Sequence, residues 1–257
     1  MSRIARVVVE NIPHHVIQRG NRNQPVFFSE NDKAAYLKIF KEQLRINNVQ
    51  IWAWCLMDTH VHFVAVPAKK ETFNRAFAET HRLYSRRINF REGWRGYLFQ
   101  GRFSSFPMDE KYLYAAVRYV ENNPVKAQLV KHAEDYPWSS ARAHIMGSSD
   151  ELLSPCFLEK EIRDWRIFLS GGTNNEVKNL EKHAMTGRPL GEGSFVEKLE
   201  QFLSRRFTKQ KPGPRKRKPN RELSIVSREL KVLESGKRLG HLGDTEKSLR
   251  SIPRRRV

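Results

Sequence analysis

The chain has 257 residues, of which 39% are hydrophobic, and carries a formal net charge of +19. This is enough apolar sequence for a folded core, but no stretch approaches the roughly 18–20 apolar residues of a membrane-spanning helix, so we expect no membrane partner. The two cysteines, Cys55 and Cys156, have neither a disulfide framework nor a metal-type spacing, which favours a reducing, cytoplasmic environment.

The positive charge is concentrated towards the C-terminal end. Residues 1–150 contain 22 Lys and Arg against 14 Asp and Glu, whereas residues 205–257 contain 18 against 5. Residues 205–221 contain nine basic residues, three prolines and no acidic residue, a composition that cannot bury a core and is expected to be disordered when free. Such an excess favours a polyanionic partner, nucleic acid before membrane; the alternative is a basic surface that only aids solubility.

Short strands and helices alternate in the first part of the chain. Strand-like alternation in "HHVIQRGNRNQPVFF" breaks at Gly20-Asn21, and a helix follows that Asn31 or Asp32 would cap. The next two strands, "VQIWAWCLM" and "HVHFVAVP", are expected to form a tight antiparallel hairpin through Asp58-Thr59. On the first of them, one predicted face carries Ile51, Ala53 and Cys55, and the other carries Trp52, Trp54 and Leu56.

The remaining elements define the fold class. A helix over about 71–90 and a strand within 97–108 come next, and then a helix capped by Asp109 that Pro124 stops. The order β-α-β-β-α-β-α indicates an α+β fold, a small antiparallel sheet with helices on one face. Beyond residue 150 the pattern is helical over 156–169 and 193–207, the latter with a capping box of Ser194 and Glu197. We therefore divide the chain into 1–150, a helical extension 151–204 and a basic, largely disordered tail 205–257.

Two histidines share one face of the third strand. Because side chains alternate along a strand, His60 and His62 project to the same side, about 7 Å apart along the backbone, while Val61 points into the core. Imidazole nitrogens at this separation can converge on one divalent ion. The alternative is a pair of half-buried polar side chains on a solvated face, and the pair alone does not decide between the two.

A chemical partner for these histidines lies on the helix after Asp109. Tyr119 and Asn123 are one turn apart at the edge of its apolar stripe, so that a phenol and an amide oxygen would face the sheet together. The other two tyrosines of this helix, Tyr112 and Tyr114, have no metal-compatible residue at the same spacing. The alternative is that Tyr119 is an amphipathic packing residue.

The two sites together suggest a transesterification. A phenol has a reference pKa near 10 and is a poor nucleophile without help. A divalent ion on His60, His62 and Asn123 would polarise a phosphodiester oxygen, and Tyr119 would attack phosphorus and keep the bond energy as a phosphotyrosine ester. The sequence has no G-x-x-x-x-G-K-[ST] loop, which fits a reaction that consumes no nucleotide.

Five stretches resemble, in order and spacing, those of a known family. They are "HHVIQRGNRNQPVFF", "WCLMDTHVHFVAVP", "FQGRF", "VRYVENNPVKAQLV" and "DYPWSSARAH". Over roughly residues 10–145 the chain resembles the HUH-type single-tyrosine transposases and, within them, the REP-associated tyrosine transposases. One departure is "MDTH", where relatives often carry Pro and Asn or Glu before the first histidine; we expect changed loop geometry and not loss of the metal.

The resemblance implies a ferredoxin-like HUH fold in residues 1–150, with His60 and His62 as metal ligands, Asn123 as a further ligand and Tyr119 as nucleophile. It implies Mg²⁺ or Mn²⁺ as cofactor, and single-stranded DNA with hairpins formed by palindromic repeats as partner. The implied function is a transposase of the bacterial cytoplasm and nucleoid that cleaves and rejoins this DNA through a 5′-phosphotyrosine. We expect a monomer, with a dimer as the alternative.

Candidate DNA contacts combine charge with neighbouring aromatic residues. Arg19 and Arg22 belong to the loop after the first strand, Arg102 lies between Phe99 and Phe103 in sequence, and Lys126 follows the tyrosine helix. Each alone is compatible with an ordinary surface charge. A DNA-binding regulator with the same fold and no catalysis is the main alternative function, and a replication or conjugation initiator with the same chemistry is a weaker one.

Overall fold

The fold is that of a computed structural model, which describes residues 4–208. Four antiparallel strands form one sheet, in the spatial order β2-β3-β1-β4. They are β1 (His14–Arg19), β2 (Val49–Met57), β3 (His60–Pro67) and β4 (Ser104–Pro107). Met57 pairs with His60, so that only Asp58 and Thr59 connect β2 to β3. The predicted α+β class, the antiparallel sheet and the two-residue hairpin are therefore confirmed.

Two long helices cover one face of the sheet. They are α1 (Glu30–Asn47) and α2 (Lys70–Glu92), which pack against each other. Their apolar side chains meet those of the central strands in a core that includes Phe40, Phe63 and Phe77. The predicted caps of α1 are wrong: Ser29 is its N-cap, and Asp32 lies inside the first turn, where its carboxylate accepts from the Phe28 N–H at 3.0 Å.

A third helix, α3 (Glu110–Glu121), packs on the opposite face, against β2 and β3. The expectation of helices on one face thus holds for α1 and α2 and not for α3. The physical reason is that β2 and β3 carry apolar side chains on both faces. Without α3, the apolar side chains on the face opposite α1 and α2 would be exposed to water. The prediction that Asp109 caps this helix is confirmed, because its carboxylate accepts from the Tyr112 N–H at 3.0 Å.

A bulge in β2 changes which residues share a face. The pairing with β3 shifts between Ile51 and Ala53, so that Trp52 is the extra residue. As a result Ile51 joins Trp54 and Leu56 in the core beneath α1 and α2, and Trp52 packs with the residues on the α3 side. The predicted face assignment is wrong for Ile51 and Trp52, because strict alternation does not survive a bulge.

Short helices follow α3. They are α4 (Asn123–Lys126), α5 (Ala141–Met146), α6 (Leu158–Glu161), α7 (Trp165–Ser170), α8 (Asn174–Thr186) and α9 (Gly193–Phe202). The helical prediction for 156–169 covers α6 and α7, which a break at 162–164 separates. The capping box of Ser194 and Glu197 is wrong, since α9 begins at Gly193 after Glu192. A real capping box joins Thr173 and Glu176 at the start of α8, a helix that the sequence patterns missed.

The helices after residue 150 pack onto the part that carries the sheet. Residues 4–207 form one compact unit, and α8 contacts α3, β1 and β4. No helix within residues 4–208 combines the length and the apolar character needed to cross a bilayer. Residues 209–257 lie outside the described residues, and so does most of the predicted basic tail. The division into 1–150, 151–204 and 205–257 stays a prediction.

Candidate active site

One sheet face carries a row of polar side chains under α3. His62 pairs across the sheet with Cys55 on β2 and Ile17 on β1, and His60 pairs with Arg19. Because these partners alternate in step, His60, His62 and Arg19 point to the α3 side at the end of the sheet near the hairpin. The rings of His60 and His62 are 4.8 Å apart between centroids, edge to face.

Both histidines are held through the same ring nitrogen. Nδ1 of His60 lies 2.8 Å from the Thr59 hydroxyl, and Nδ1 of His62 lies 3.1 Å from Nε2 of His15. Nε2 of His62 is buried and has no hydrogen-bond partner. A buried imidazole nitrogen is normally paired, so this atom is placed as a metal ligand would be, with its ring oriented from behind.

The same burial keeps the imidazoles uncharged. Desolvation, aided by Arg19, lowers the pKa of His60 to about 4, and desolvation together with His60 and His15 holds the pKa of His62 well below 6.5. Desolvation lowers the pKa of His15 to about 3. A metal binds the neutral form of imidazole, so these side chains need not lose a proton at neutral pH before they coordinate.

Tyr119 extends from α3 onto the histidine pair. Its ring lies edge-on to His62, with centroids 5.4 Å apart, and edge-on to His15 at 5.7 Å. Burial raises the pKa of its hydroxyl, and the nearby Lys126 ammonium opposes this rise. Nζ of Lys126 lies 5.4 Å from the centre of the Tyr119 ring. The phenol is therefore protonated at neutral pH and has a cation beside it.

Asn123 links the tyrosine to the histidines. α3 ends at Glu121, and Asn123 begins α4 with Pro124 directly after it. Its side chain opposes both the lowered pKa of His60 and the raised pKa of the Tyr119 hydroxyl, and so lies close to both groups. Its Nδ2 also donates to the Tyr119 carbonyl at 3.5 Å. The four residues singled out in the sequence thus meet at one place, although their roles stay predictions.

A cleft of about 750 Å³ opens beside Tyr119 and His62. Arg19 and Arg102 line it, and one wall is formed by α8 through Leu180, Glu181, Ala184 and Met185. Lys126 lies at the edge of the tyrosine and pairs with Glu181 at 2.9 Å. Arg22 does not line the cleft; it is exposed in the turn Asn21–Asn23, which joins the cleft through Asn23. Of the four predicted DNA contacts, the structure brings three to the tyrosine or its cleft.

The donor set of this site fits a divalent ion only with an amide as third ligand. Within residues 4–208, no three or more His, Cys, Asp and Glu side chains are grouped to hold a metal ion. His60, His62 and the Asn123 amide lie close together, and the buried Nε2 of His62 has no hydrogen-bond partner. Nitrogen and neutral oxygen donors of this kind suit Mn²⁺ and accept Mg²⁺ when water and substrate oxygens complete the shell.

Three site residues were missed by the sequence reasoning. His15 and Thr59 orient the histidine pair from behind, and Glu181 brings a carboxylate into the cleft. The sequence contained a signal for His15, because His15, Ile17 and Arg19 are spaced two residues apart on one strand and must share a face. Glu181 had none, because α8 meets the site only through tertiary packing.

Comparisons with known proteins agree with the fold. Residues 8–123 match the family model described as "Transposase IS200 like". A solved REP-associated tyrosine transposase bound to a REP hairpin is similar in fold, with a TM-score of 0.50 and 19% identity, covering 61% of this chain and 93% of that one. A structure assigned as a transposase from Deinococcus radiodurans R1 gives a TM-score of 0.34 and 17% identity, over 47% of this chain and 96% of that one. No protein of curated function matches the chain. The resemblance inferred from the motifs is thus confirmed.

Proposed function

Because residues 8–123 match the model of the IS200-like transposase family, we propose that this protein cuts and rejoins single-stranded DNA with Tyr119 as its nucleophile. The observation that carries the proposal is the convergence of Tyr119, Asn123 and the histidine pair. The Asn123 side chain lies close to both the Tyr119 hydroxyl and His60, and the Tyr119 ring lies edge-on to His62. A nucleophile adjacent to uncharged imidazoles fits phosphoryl chemistry and is not required for packing alone.

His60, His62 and Asn123 would hold a Mg²⁺ or Mn²⁺ ion, which supplies charge stabilisation to a phosphodiester oxygen when bound. His15 and Thr59 hold Nδ1 of the two imidazoles, so that Nε2 of each is directed to the site. A metal site with few protein ligands requires hydrogen bonds of this kind, because they fix the orientation of the ligating rings.

The tyrosine supplies the new bond. As Tyr119 Oη attacks phosphorus, its proton leaves and the bond from phosphorus to the O3′ atom of the upstream nucleotide breaks, and that oxygen takes up a proton as a free 3′-hydroxyl. The 5′-phosphate remains on Tyr119 as an ester, and a second 3′-hydroxyl reverses the exchange to join a new strand. The ammonium of Lys126 lies where it lowers the cost of ionising the phenol, against the effect of burial.

We propose single-stranded DNA with hairpins, from palindromic repeats of the bacterial nucleoid, as substrate, bound by a monomer. Arg19 and Arg102 provide cationic groups in the cleft beside Tyr119, and a phosphate backbone is their natural partner. Support for a hairpin comes from the structural relative, which was solved with a REP hairpin.

The test is a covalent adduct. A labelled single-stranded hairpin with flanking sequence is incubated with the full-length protein and Mn²⁺ or Mg²⁺, and resolved on a denaturing gel. We expect a heat-stable, metal-dependent slow band that Tyr119→Phe and His62→Ala abolish. Tyr114→Phe is the matched control, because Tyr114 lies on the same helix, bonded to Glu161 and away from the histidines; it should retain the band. An adduct that persists in Tyr119→Phe would refute the assignment of the nucleophile.

A second candidate function is a DNA-binding regulator without catalysis. It is favoured by the raised pKa of Tyr119, since a buried, protonated phenol attacks slowly unless it is ionised on substrate binding. A strong native gel shift with no covalent band, across both metals and several hairpins, would establish the regulator in place of the transposase.

A further inference from the structure

A cluster of exposed aromatic residues lies beside the cleft and takes no part in the chemistry described above. Phe90 is 91% exposed, Tyr97 is 85% exposed, and Trp94 and Phe28 are nearly half exposed. We call these four side chains the aromatic rim. Large aromatic side chains usually contribute to a core, so their exposure around the end of α2 and the loop after it marks a binding surface.

The loop that carries the rim is well ordered by its own hydrogen bonds. Gly93 ends α2 in the left-handed conformation that favours glycine, with φ 66°. The Trp94 N–H then donates to the Asn89 carbonyl at 2.9 Å, and the Asn89 amide donates to the Gly96 carbonyl at 2.9 Å. These bonds fold residues 93–96 back onto the last turn of α2, so that Phe90, Trp94 and Tyr97 belong to one compact turn.

Arginines surround the rim without acidic partners. Arg86, Arg87 and Arg95 are exposed, and none of them forms an ion pair within residues 4–208. Arg91 differs: it pairs with Asp32 and Glu92, and its guanidinium lies 5.8 Å from the centre of the Phe28 ring. Phe28 in turn meets Trp94 edge-on at 5.6 Å. The surface therefore combines aromatic faces with uncompensated positive charge.

The rim continues directly into the cleft. The Asn21 N–H donates to the Leu98 carbonyl at 2.9 Å, and the Gln100 N–H donates to the Arg19 carbonyl at 2.8 Å. Gln100, Arg19 and Arg102 line the cleft beside Tyr119. A strand that leaves the cleft past Gln100 would meet the rim a few residues away along the same loop.

We propose that the aromatic rim binds unpaired bases of the single-stranded DNA that flanks the reacting phosphate, with Arg86, Arg87 and Arg95 contacting its phosphates. Bases stack on aromatic side chains irrespective of sequence, and arginines between such side chains track the backbone. A paired hairpin stem offers no unstacked bases, so this surface distinguishes a flanking single strand from a duplex. The inference rests on the proposed function for the identity of the DNA. It adds that the aromatic rim holds the flanking single strand, whereas the cleft holds the reacting phosphate.

The test compares two DNAs and a double variant. Fluorescence anisotropy measures the affinity of the full-length protein for a blunt hairpin and for the same hairpin with a single-stranded extension of about ten nucleotides. We expect Phe90→Ala with Tyr97→Ala to weaken binding of the extended hairpin by about tenfold or more, and to leave the blunt hairpin within about twofold. Both side chains are so exposed that the substitution removes little packing.

Matched controls separate stacking from loss of any exposed aromatic residue. Phe202 is 75% exposed on α9, and Phe202→Ala should change neither affinity. Trp94→Ala, at a residue that packs on Phe28, should reproduce the loss for the extended hairpin. Equal affinity of the wild type and the double variant for the extended hairpin would overturn the proposal, and so would equal losses on both DNAs. A wild-type dimer that the double variant converts to a monomer would assign the rim to a second copy of the chain.

Binding and covalent chemistry are measured separately, so the two proposals can fail separately. An adduct through Tyr119 with no affinity change in the double variant would leave the proposed function intact and remove the rim. A selective loss of affinity for the extended hairpin with no adduct under any condition would keep the rim and favour the regulator.

Discussion

The helix that carries Tyr119 is anchored by a buried network of hydrogen bonds. The loss of free energy of unfolding on breaking this network can be calculated. The Glu121 carboxyl is fully buried; it accepts from the Ser140 hydroxyl and bonds Nδ1 of His144 at 2.6 Å. Ser140 Oγ also accepts from the Trp54 N–H of β2 at 2.9 Å. The His144 ring stacks on Trp165, with centroids 4.0 Å apart. One hydroxyl thus joins the end of α3 to the edge of the sheet.

Ser140→Ala removes two hydrogen bonds and leaves two buried groups short of a partner. An unsatisfied buried polar group costs about 1–3 kcal/mol, and Glu121 retains His144, so we expect a loss of about 2–4 kcal/mol in the free energy of unfolding. The hydroxyl is small, so the contribution of the new cavity is minor beside these terms. The loss should also loosen Tyr119, two residues before Glu121.

Urea denaturation followed by tryptophan fluorescence measures the loss, and the neighbouring serine provides the control. Ser139 is also buried, but its hydroxyl accepts only the Ala141 N–H, at 3.0 Å, and does not touch Glu121. Ser139→Ala should therefore cost about 1 kcal/mol. If Ser140→Ala cost no more than Ser139→Ala, the network would not anchor the helix and the reasoning would be refuted.

Three further predictions follow from single features. Gly20→Ala should destabilise the fold by about 1–3 kcal/mol, because the new Cβ would lie 2.1 Å from the Gln24 carbonyl oxygen, whereas Gly193→Ala, with open space around it, should be neutral in the same urea titration. Burial lowers the pKa of His81 from 6.5 to about 3, so below pH 6.5 only the unfolded chain takes up the proton, and the free energy of unfolding decreases as the pH is lowered. Between pH 7.5 and 5.5, His81→Gln should therefore lose about 1.4 kcal/mol less of its free energy of unfolding than the wild type does. Equal losses for the two proteins in urea titrations at these pH values would contradict this. Truncation after residue 208 removes 16 Lys and Arg against 5 Asp and Glu, and should weaken DNA binding and flatten its salt dependence while leaving the covalent adduct on a tightly bound hairpin intact; an unchanged salt slope in anisotropy titrations would show that the tail does not contact phosphates.

The choice of truncation point illustrates what packing adds to composition. Charge alone places the start of the tail near Arg205. The structure shows Phe207 buried with Leu199, and the Arg205 guanidinium donating to the Ala5 carbonyl at 2.7 Å. A cut at residue 204 would therefore remove these contacts, and a cut after residue 208 keeps them.

Local chemistry in the sequence determined much of the fold and the composition of the site. The caps and turns are local, so Asp109 and the Asp58-Thr59 hairpin could be predicted from adjacent residues. The two-residue period of a strand is also local, and it places His60 and His62 on one face without knowledge of the partner strands. The i, i+4 spacing that joins Tyr119 and Asn123 follows from helix geometry in the same way.

Only the tertiary structure decided which surfaces meet. The bulge at Trp52 depends on the pairing of β2 with β3, and so it reverses two face assignments that alternation predicted. The position of α3 opposite α1 and α2 follows from an apolar surface on both faces of the sheet. The support at His15, the wall of α8 and the contact of Phe28 with Trp94 in the aromatic rim arise from contacts between segments far apart in sequence. The sequence by itself thus identifies the reactive groups through short-range geometry, whereas their orientation, burial and pKa values depend on long-range packing that no local pattern encodes.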